Sequence, residues 1–439
     1  VSRQNARVKE PAIDLAVVGG GAAGLMAAIE AGRQARRLGR PLRIVVFDGA
    51  RVLGAKILVA GGGRCNVTHD RVDASAFAGS TPAAIRNVLR RFDVAATIRF
   101  FEELGVPLKR EETGKLFPTS DRARTVLDAL LRACRDAGVV LDHPWRVLSI
   151  ERAGGAFVLS GTQGTMVARR IVLATGGRAL PKSGSDGHGY ELARRLGHGT
   201  TPRIFPGLVP IVVDDRAFVR ELAGIAVPAR VELRSASGKR LAAVEDPVLC
   251  CHFGLSGPAV LDISRHWIEA RAGDPGAHLV VNWLPAIDLA ASFAEADGRH
   301  GALALLRPRL PERLARALCR EAGIEPGSPI ARLPRDKRRA LQEAVGAWRV
   351  PAIGDRGFTH AEVTAGGVPL AQLHLDTLES RVCPGLHLVG EILDVDGRIG
   401  GYNFQWAWSS GFLGGSAAAS ALVQAEPSRS GGSTPAASR

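Results

Sequence analysis

Three glycines, Gly19, Gly21 and Gly24, stand at the spacing G-x-G-x-x-G directly after an apolar run from Ile13 to Val18. In that spacing the first glycine permits a tight turn, the second lets backbone approach a pyrophosphate, and the third lets a helix pack on a strand. A helix is expected from Ala22 to about Arg37, and its N-terminus would offer free N–H groups and a positive dipole end to phosphates. A second apolar run, Leu42 to Phe47, ends in Asp48, the expected acceptor for an adenosine ribose hydroxyl. Strand, turn, helix, strand and acid together predict a dinucleotide site at Gly19, Gly21, Ala22, Ala23, Gly24, Asp48 and Gly49.

Further glycine-bounded segments follow. Lys56 leads into Gly61-Gly-Gly-Arg-Cys-Asn66, where three consecutive glycines point to backbone lying against a flat or anionic ligand, with Arg64 near phosphate. A flexible loop is the plainer alternative. Lys56, Gly63, Arg64, Cys65 and Asn66 join the expected site, with Val147 at the start of a hairpin. Thr175, Gly176 and Gly177 also join it, at the end of the apolar strand from Ile171. Near the other end of the chain stand Gly390-Glu391 and Gly400-Gly-Tyr-Asn-Phe-Gln405, which runs into a small-residue helix.

A nicotinamide dehydrogenase would keep its nucleotide fold contiguous. FAD is longer than its adenosine half: its ribityl hydroxyls need an acceptor such as Glu391. A helix N-terminus near Asn403 could hold negative charge on the reduced ring. FAD therefore accounts for both ends of the chain, with Gly390, Glu391, Gly401, Asn403, Phe404 and Gln405 as its second set of contacts. No second G-x-G-x-x-G follows a strand and opens a helix, so NAD(P)H is expected only as a co-substrate.

The elements that must position these residues read as a parallel-sheet α/β domain with an interruption. Helices are expected from Thr81 to Phe92, from Asp93 to Gly105 and from Asp121 to Ala137, then a strand at Val139 to Leu141 and a hairpin around Gly154-Gly155. From about Thr201 the pattern changes to short strands (Val209 to Val213, Ala229 to Leu233, Leu241 to Val244), which suit a small antiparallel barrel or sandwich. Ala286 to Trp348 reads as mostly helical. The expected partition is a first FAD-binding part over 12–200, an inserted β-barrel over 201–285, a helical domain over 286–349, a second FAD-binding part over 350–424, and a disordered Ser/Gly/Pro tail over 425–439.

Composition narrows the class. The chain has 439 residues, 46% hydrophobic and 23% charged, which is ordinary for globular domains. No apolar run reaches the roughly 18 residues that span a bilayer, and Val1 to Pro11 has no apolar core for a secretory signal, so a cytoplasmic protein without membrane attachment is expected. The net charge of +14 invites a nucleic-acid partner. Yet arginines are scattered through nearly every segment and only 5% of residues are aromatic, so a basic surface without a stable nucleic-acid complex is the expectation. The six cysteines form no C-x-x-C pair, and no metal site is expected. The adjacent Cys250 and Cys251 are either redox-active or small buried hydrophobes.

Taken as a set, Val17 to Gly24, Gly61 to Asn66, Ala174 to Gly177, His252-Phe-Gly-Leu-Ser-Gly-Pro258, Val363 to Gly367 and Gly390 to Asn403 resemble the BaiN/YhiN-like flavoproteins. The resemblance covers roughly Ile13 to Gln424. It implies a discontinuous FAD domain of the glutathione-reductase-like superfamily, interrupted by a β-barrel and a helical domain; one member class reduces steroid-type enones. The expected function is hydride transfer through flavin N5 to or from a small organic substrate. His252 and Tyr402 are the expected proton donors, and structural roles for both stay open. The alternatives are a flavin-dependent RNA-modifying protein that uses its basic surface, and a non-catalytic flavin-binding protein.

Overall fold

In a computed structural model the protein is described over residues 12–295 and 301–425; the expected tail over 426–439 and the stretch Val1 to Pro11 lie outside the described residues. In chain order the principal elements begin with β1 (Ile13–Val18), α1 (Ala22–Arg37), β2 (Ile44–Phe47), α2 (Ala123–Asp136), β3 (Val140–Asp142), β4 (Val147–Ala153), β5 (Ala156–Gly161) and β6 (Gly164–Leu173). Next come β7 (Ile211–Val213), β8 (Ala226–Arg234), β9 (Arg240–Cys251), β10 (Gly254–Ser256), α3 (Pro258–Gly273) and β11 (His278–Asn282). The last are α4 (Glu312–Glu321), α5 (Arg335–Gly346), β12 (Trp348–Arg349), β13 (Ala352–Asp355), β14 (Leu386–Leu388) and α6 (Tyr402–Gln424).

The chain forms two units, one of residues 1–177, 183–202 and 366–439, the other of 178–182 and 203–365. The first is built on a mixed sheet in the order β3-β2-β1-β6-β5-β4, with β14 beside the C-terminal half of β6. Pairings among β3, β2, β1, β6 and β14 are parallel, and the β4–β5–β6 meander is antiparallel. The parallel strands read as continuous apolar runs because both faces are covered, as buried Leu15, Ala16 and Val17 show.

Helices α1 and α6 pack on each other through backbone. A Cβ on Gly411 would stand 2.5 Å from the carbonyl oxygen of Ala23, and one on Gly415 would stand 2.1 Å from that of Ala27. Because residue 23 meets 411 and 27 meets 415, the two helices run parallel. The small-residue composition of α6 is therefore a packing requirement: only glycine at these positions lets two helix backbones meet.

In the second unit seven antiparallel strands follow the order β12-β11-β8-β9-β10-β7-β13. Its two end strands, β12 and β13, are consecutive in sequence, so the path returns on itself. The partition differs from the sequence expectation in two places. Helices α4 and α5 share one core with the strands, Leu314, Leu318, Leu341 and Val345 packing in the same cluster as Val213, Val231, Val248 and Trp283. Residues 350–365, expected with the nucleotide-binding part, lie in the second unit because β13 pairs with β7. Helix α3 was not anticipated; Pro258 directly after Gly257 is its sequence signal, a proline at the first helical position.

Candidate functional site

The glycine turn divides its labour as its spacing predicts. Gly19 has φ +108°, and a Cβ on it would lie 2.4 Å from the Ala174 carbonyl oxygen; one on Gly24 would lie 1.9 Å from the carbonyl oxygen of Gly19. Those two glycines are needed for the fold. Gly21 differs: its φ of −84° suits any residue, and a Cβ there would meet nothing within 4 Å. The protein itself gives no reason for glycine at that position, so the open space belongs to whatever lies over the turn.

Gly21 is the N-cap of α1 and Gly401 that of α6; neither helix has a capping side chain or an acidic residue in its first turn. Both positive helix ends are thus left for an external anion. Since α6 starts at Tyr402 and Gly411 lies level with Ala23, its N-terminus projects about 12 Å beyond that of α1 along the shared direction.

Asp48, at the end of β2, accepts hydrogen bonds from the Gly20 N–H (2.6 Å) and the Ala50 N–H (2.7 Å), so it also holds the turn together. The neighbouring Gly49 lies against Arg146, whose Cβ a Cβ on Gly49 would approach to 3.0 Å. The two ends of the chain meet where Lys56 Nζ stands 2.5 Å from Glu391 Oε2. Gly390 is pinned there, its N–H donating to Ser410 Oγ at 3.0 Å and its carbonyl accepting from Trp406 Nε1 at 3.1 Å. Ala22 and Ala23 open α1, and Val147 is a buried residue of β4.

Gly61, Gly62 and Gly63 all have left-handed φ (57°, 68° and 84°) and are exposed, forming a backbone shelf, with the Phe117 ring against Gly61. Two polar atoms are left unsatisfied: Asn66 Oδ1, on the residue against Gly61, is buried without a hydrogen-bond partner among the described residues, and so is Thr175 Oγ1, on the residue against Gly19. A buried polar atom without a partner is costly, by about 1–3 kcal/mol, and marks the place of a missing ligand or water. Thr175 is followed by the left-handed Gly176 and by buried Gly177. These features fit a long anionic cofactor laid across the turn, the shelf and the start of α6.

Several residues expected at the cofactor also have structural partners. Gln405 uses its whole amide inside the protein: Oε1 accepts from Thr68 Oγ1 (2.6 Å) and Thr97 Oγ1 (3.0 Å), and Nε2 donates to the Phe92 carbonyl (2.9 Å) and Ser409 Oγ (3.1 Å). Arg64, expected near phosphate, pairs with Glu111 at 2.6 Å and lies 4.0 Å from the centre of the Phe117 ring. The Asn403 side chain clamps Gly397, accepting from its N–H at 2.8 Å and donating to its carbonyl at 2.9 Å, and Phe404 stacks on Trp408. What Asn403 and Phe404 can offer a ligand is first-turn backbone N–H. Cys65 is buried with φ 62°, and burial pushes its thiol up to about 12, so it stays a protonated, unreactive group.

Tyr402, the first residue of α6, is nearly buried and stacks on His69 with ring centres 5.0 Å apart. His69 was missed in the sequence because nothing near it forms a motif; its Nδ1 lies 2.9 Å from Asp70 Oδ1 and its Nε2 3.0 Å from the Thr113 carbonyl. His252 belongs to the second unit, exposed at the two-residue tip between β9 and β10, where its ring meets Phe253 edge-on. Cys250 is buried, its thiol pushed up to about 12, and all six cysteines are free. No group of residues suited to holding a metal ion occurs among the described residues.

The HI0933-like protein Rossmann domain matches residues 13–417. The chain belongs to this family. Similar proteins include the ribosomal RNA dihydrouridine synthase of Escherichia coli K12, 34% identical over 90% of this chain and 96% of that protein. The 3-dehydro-bile acid delta(4,6)-reductase of Clostridium scindens is also 34% identical, over 92% of this chain and 98% of its own length. Among solved structures, the E. coli quinol fumarate reductase subunit FrdA shares the fold, with a TM-score of 0.50, 19% identity, and coverage of 95% of this chain and 71% of that one. As a member of the HI0933-like family the chain is a FAD-dependent oxidoreductase with a Rossmann-like FAD-binding domain. No helix among the described residues is long and apolar enough to cross a membrane.

Proposed function

We propose that the chain reduces a carbon–carbon double bond conjugated to a carbonyl, that its substrate is uridine within ribosomal RNA, and that NAD(P)H is the reductant. The observation that carries this reading is chemical. The two relatives, alike in identity and coverage, have names that describe the same transformation on different molecules, since uridine and a Δ4,6 3-oxo steroid are both conjugated enone systems. The net charge of +14 favours the polyanionic substrate, so the expectation of no stable nucleic-acid complex is given up here. A cytoplasmic location belongs to the same reading.

When bound, FAD would supply hydride-transfer chemistry between a nicotinamide and the conjugated double bond. The remaining steps fall to the chain. Gly19 to Gly24 and the N-terminus of α1 would hold the pyrophosphate, and Asp48 the adenosine ribose. Asn66, Thr175 and the shelf at Gly61 to Gly63 would line the middle of the cofactor, and Glu391 would hold the ribityl hydroxyls. The first-turn N–H groups of α6 would stabilise negative charge at the ring. The α-carbon needs one proton, for which Tyr402 Oη and the His252 ring are the proposed donors.

The deciding experiment incubates the FAD-loaded protein and NAD(P)H with transcribed ribosomal RNA, then measures by mass spectrometry the gain of two hydrogens in the digested nucleosides. Dihydrouridine is the expected product. Reduction of a conjugated steroid enone with RNA untouched would favour the second reading, which the Clostridium relative supports; reduction of neither would sink both.

Glu391 offers a separate check. Glu391→Leu removes the partner of Lys56 and one acceptor, and a lost charged hydrogen bond is worth roughly 1.5–3 kcal/mol. FAD affinity of the refolded apoprotein should therefore fall by about tenfold to a hundredfold, with the circular dichroism spectrum retained. Unchanged affinity would mean that Glu391 does not touch the cofactor.

A further inference from the structure

Five arginines of the second unit lie over aromatic rings. Arg178 stands 4.5 Å from the centre of Phe358, Arg356 4.4 Å from Phe253, and Arg271 5.1 Å from Trp267; Arg203 and Arg265 both face Phe205, at 5.2 and 5.8 Å. Such pairs occur about once per 70–80 residues, so roughly two would be expected in a segment of this length. Two of the five, Arg203 and Arg271, share a cavity wall. Arg203, Trp267, Arg271, Gly354 and Asp355 line one cavity of about 230 Å³. The chain runs directly from that wall, at Asp355, into Arg356 and Phe358.

Three of the five charges are uncompensated, while Arg265 pairs with Glu269 at 2.8 Å. Arg178, Arg271 and Arg356 have no carboxylate partner among the described residues, whereas Arg194, Arg195 and Arg316 are each paired with a glutamate. Arg178, Arg203 and Arg271 are exposed and Arg356 is half-buried. A guanidinium resting on a ring keeps its N–H edge free for phosphate oxygens, and its other face can take a stacked base. Asp355 is the one acid in the cavity; one of its oxygens already accepts the Gly357 N–H at 2.8 Å. A carboxylate there repels phosphate but suits a base N–H, so bases fit the cavity and phosphates the arginine edges outside it.

We infer that this surface of the second unit docks single-stranded RNA, with an unstacked base in the cavity beside Trp267 and the flanking phosphates on Arg271, Arg356 and Arg178. The inference rests on the RNA reading proposed above and adds to it where the substrate is gripped. The strand is held by stacking and charge, a combination that tolerates sequence and depends strongly on salt.

The test measures anisotropy of a short fluorescein-labelled oligouridine with the full chain across a salt series, with uridine monophosphate as competitor. Arg271→Ala/Arg356→Ala should lose at least about tenfold in affinity and flatten the slope of log K against log salt by about 1.4, two phosphates at about 0.7 each for single strands. Arg194→Ala/Arg316→Ala removes the same charge elsewhere and should lose less than about threefold. Arg271→Lys/Arg356→Lys guards against misfolding: it should keep the slope and lose affinity, because the planar face is gone. Circular dichroism and flavin content verify each variant. Equal weakening by the two alanine pairs, or full binding by Arg271→Ala/Arg356→Ala while the wild type still forms dihydrouridine, overturns this site alone. Displacement by uridine monophosphate as readily as by oligouridine also overturns it, in favour of a free-nucleotide pocket. A wild type that forms no dihydrouridine overturns the substrate reading instead.

Discussion

Replacing Gly21 with valine is expected to give a folded, colourless protein. The backbone there has φ −84° and ψ −171°, which valine adopts without strain, and a Cβ would meet no atom within 4 Å. Nothing in the fold resists the change. The space that the new methyls fill is the space above the N-terminus of α1, where a pyrophosphate must come close to backbone. We expect affinity for FAD to fall by about a hundredfold or more, which is about 2.8 kcal/mol. The visible flavin absorbance of the purified protein reads this, and thermal melting of the apoprotein reports the fold. Full flavin content would mean that Gly19 to Gly24 is only a turn. Gly24→Ala should behave in the opposite way: its Cβ would collide with the Gly19 carbonyl at 1.9 Å, so stability falls before binding can be asked about.

The second large effect lies at the crossing of α1 and α6. Gly415→Val puts a branched side chain where a Cβ alone would stand 2.1 Å from the Ala27 carbonyl oxygen, so the helices must separate. Overpacking usually costs about 1–3 kcal/mol, and contact with backbone leaves no side chain to move aside, so the upper end or more is expected. Against a total stability of about 5–15 kcal/mol, that should lower the melting temperature by several degrees or leave the protein insoluble. Gly273→Ala is the control, since a Cβ there meets nothing within 4 Å and its φ is ordinary; it should be neutral or slightly stabilising. Equal melting of Gly415→Val and the wild type would show that the two helices do not touch as described.

How much of this was legible in the sequence depended on how local the cause was. The glycine turn could be read because the positive φ of Gly19 and the contact of Gly24 with the Gly19 carbonyl arise within six residues of chain, although Gly19 also abuts the distant Ala174 carbonyl. So could the Asp93 cap, whose carboxylate accepts the Ala96 N–H three residues on. The internal role of the Gln405 side chain is not legible because its four partners come from Thr68, Phe92, Thr97 and Ser409, three of them some 300 residues away. The ion pair of Arg64 is hidden for the same reason, its partner Glu111 being 47 residues on. His69 was invisible since its significance is its place beside Tyr402, which only folding creates. The common core of β-strands and α4–α5 was hidden because prolines at 308, 311 and 334 punctuate the sequence as a domain edge would, while the apolar faces of those helices turn back onto the strands.

The crossing of α1 with α6 also sets an order of events during synthesis. Arg37 ends the first helix and Gln424 the last, and at 5–20 residues per second roughly 20–80 s of translation separate them. Throughout that interval α1 has an uncovered face, and β6 lacks its neighbour β14. The second unit is almost contiguous, from 203 to 365, and has its own core, so it is complete while the first is still waiting. The nascent protein therefore carries a finished insert on an unfinished host. Until α6 is made, the face of α1 that it covers stays open to solvent.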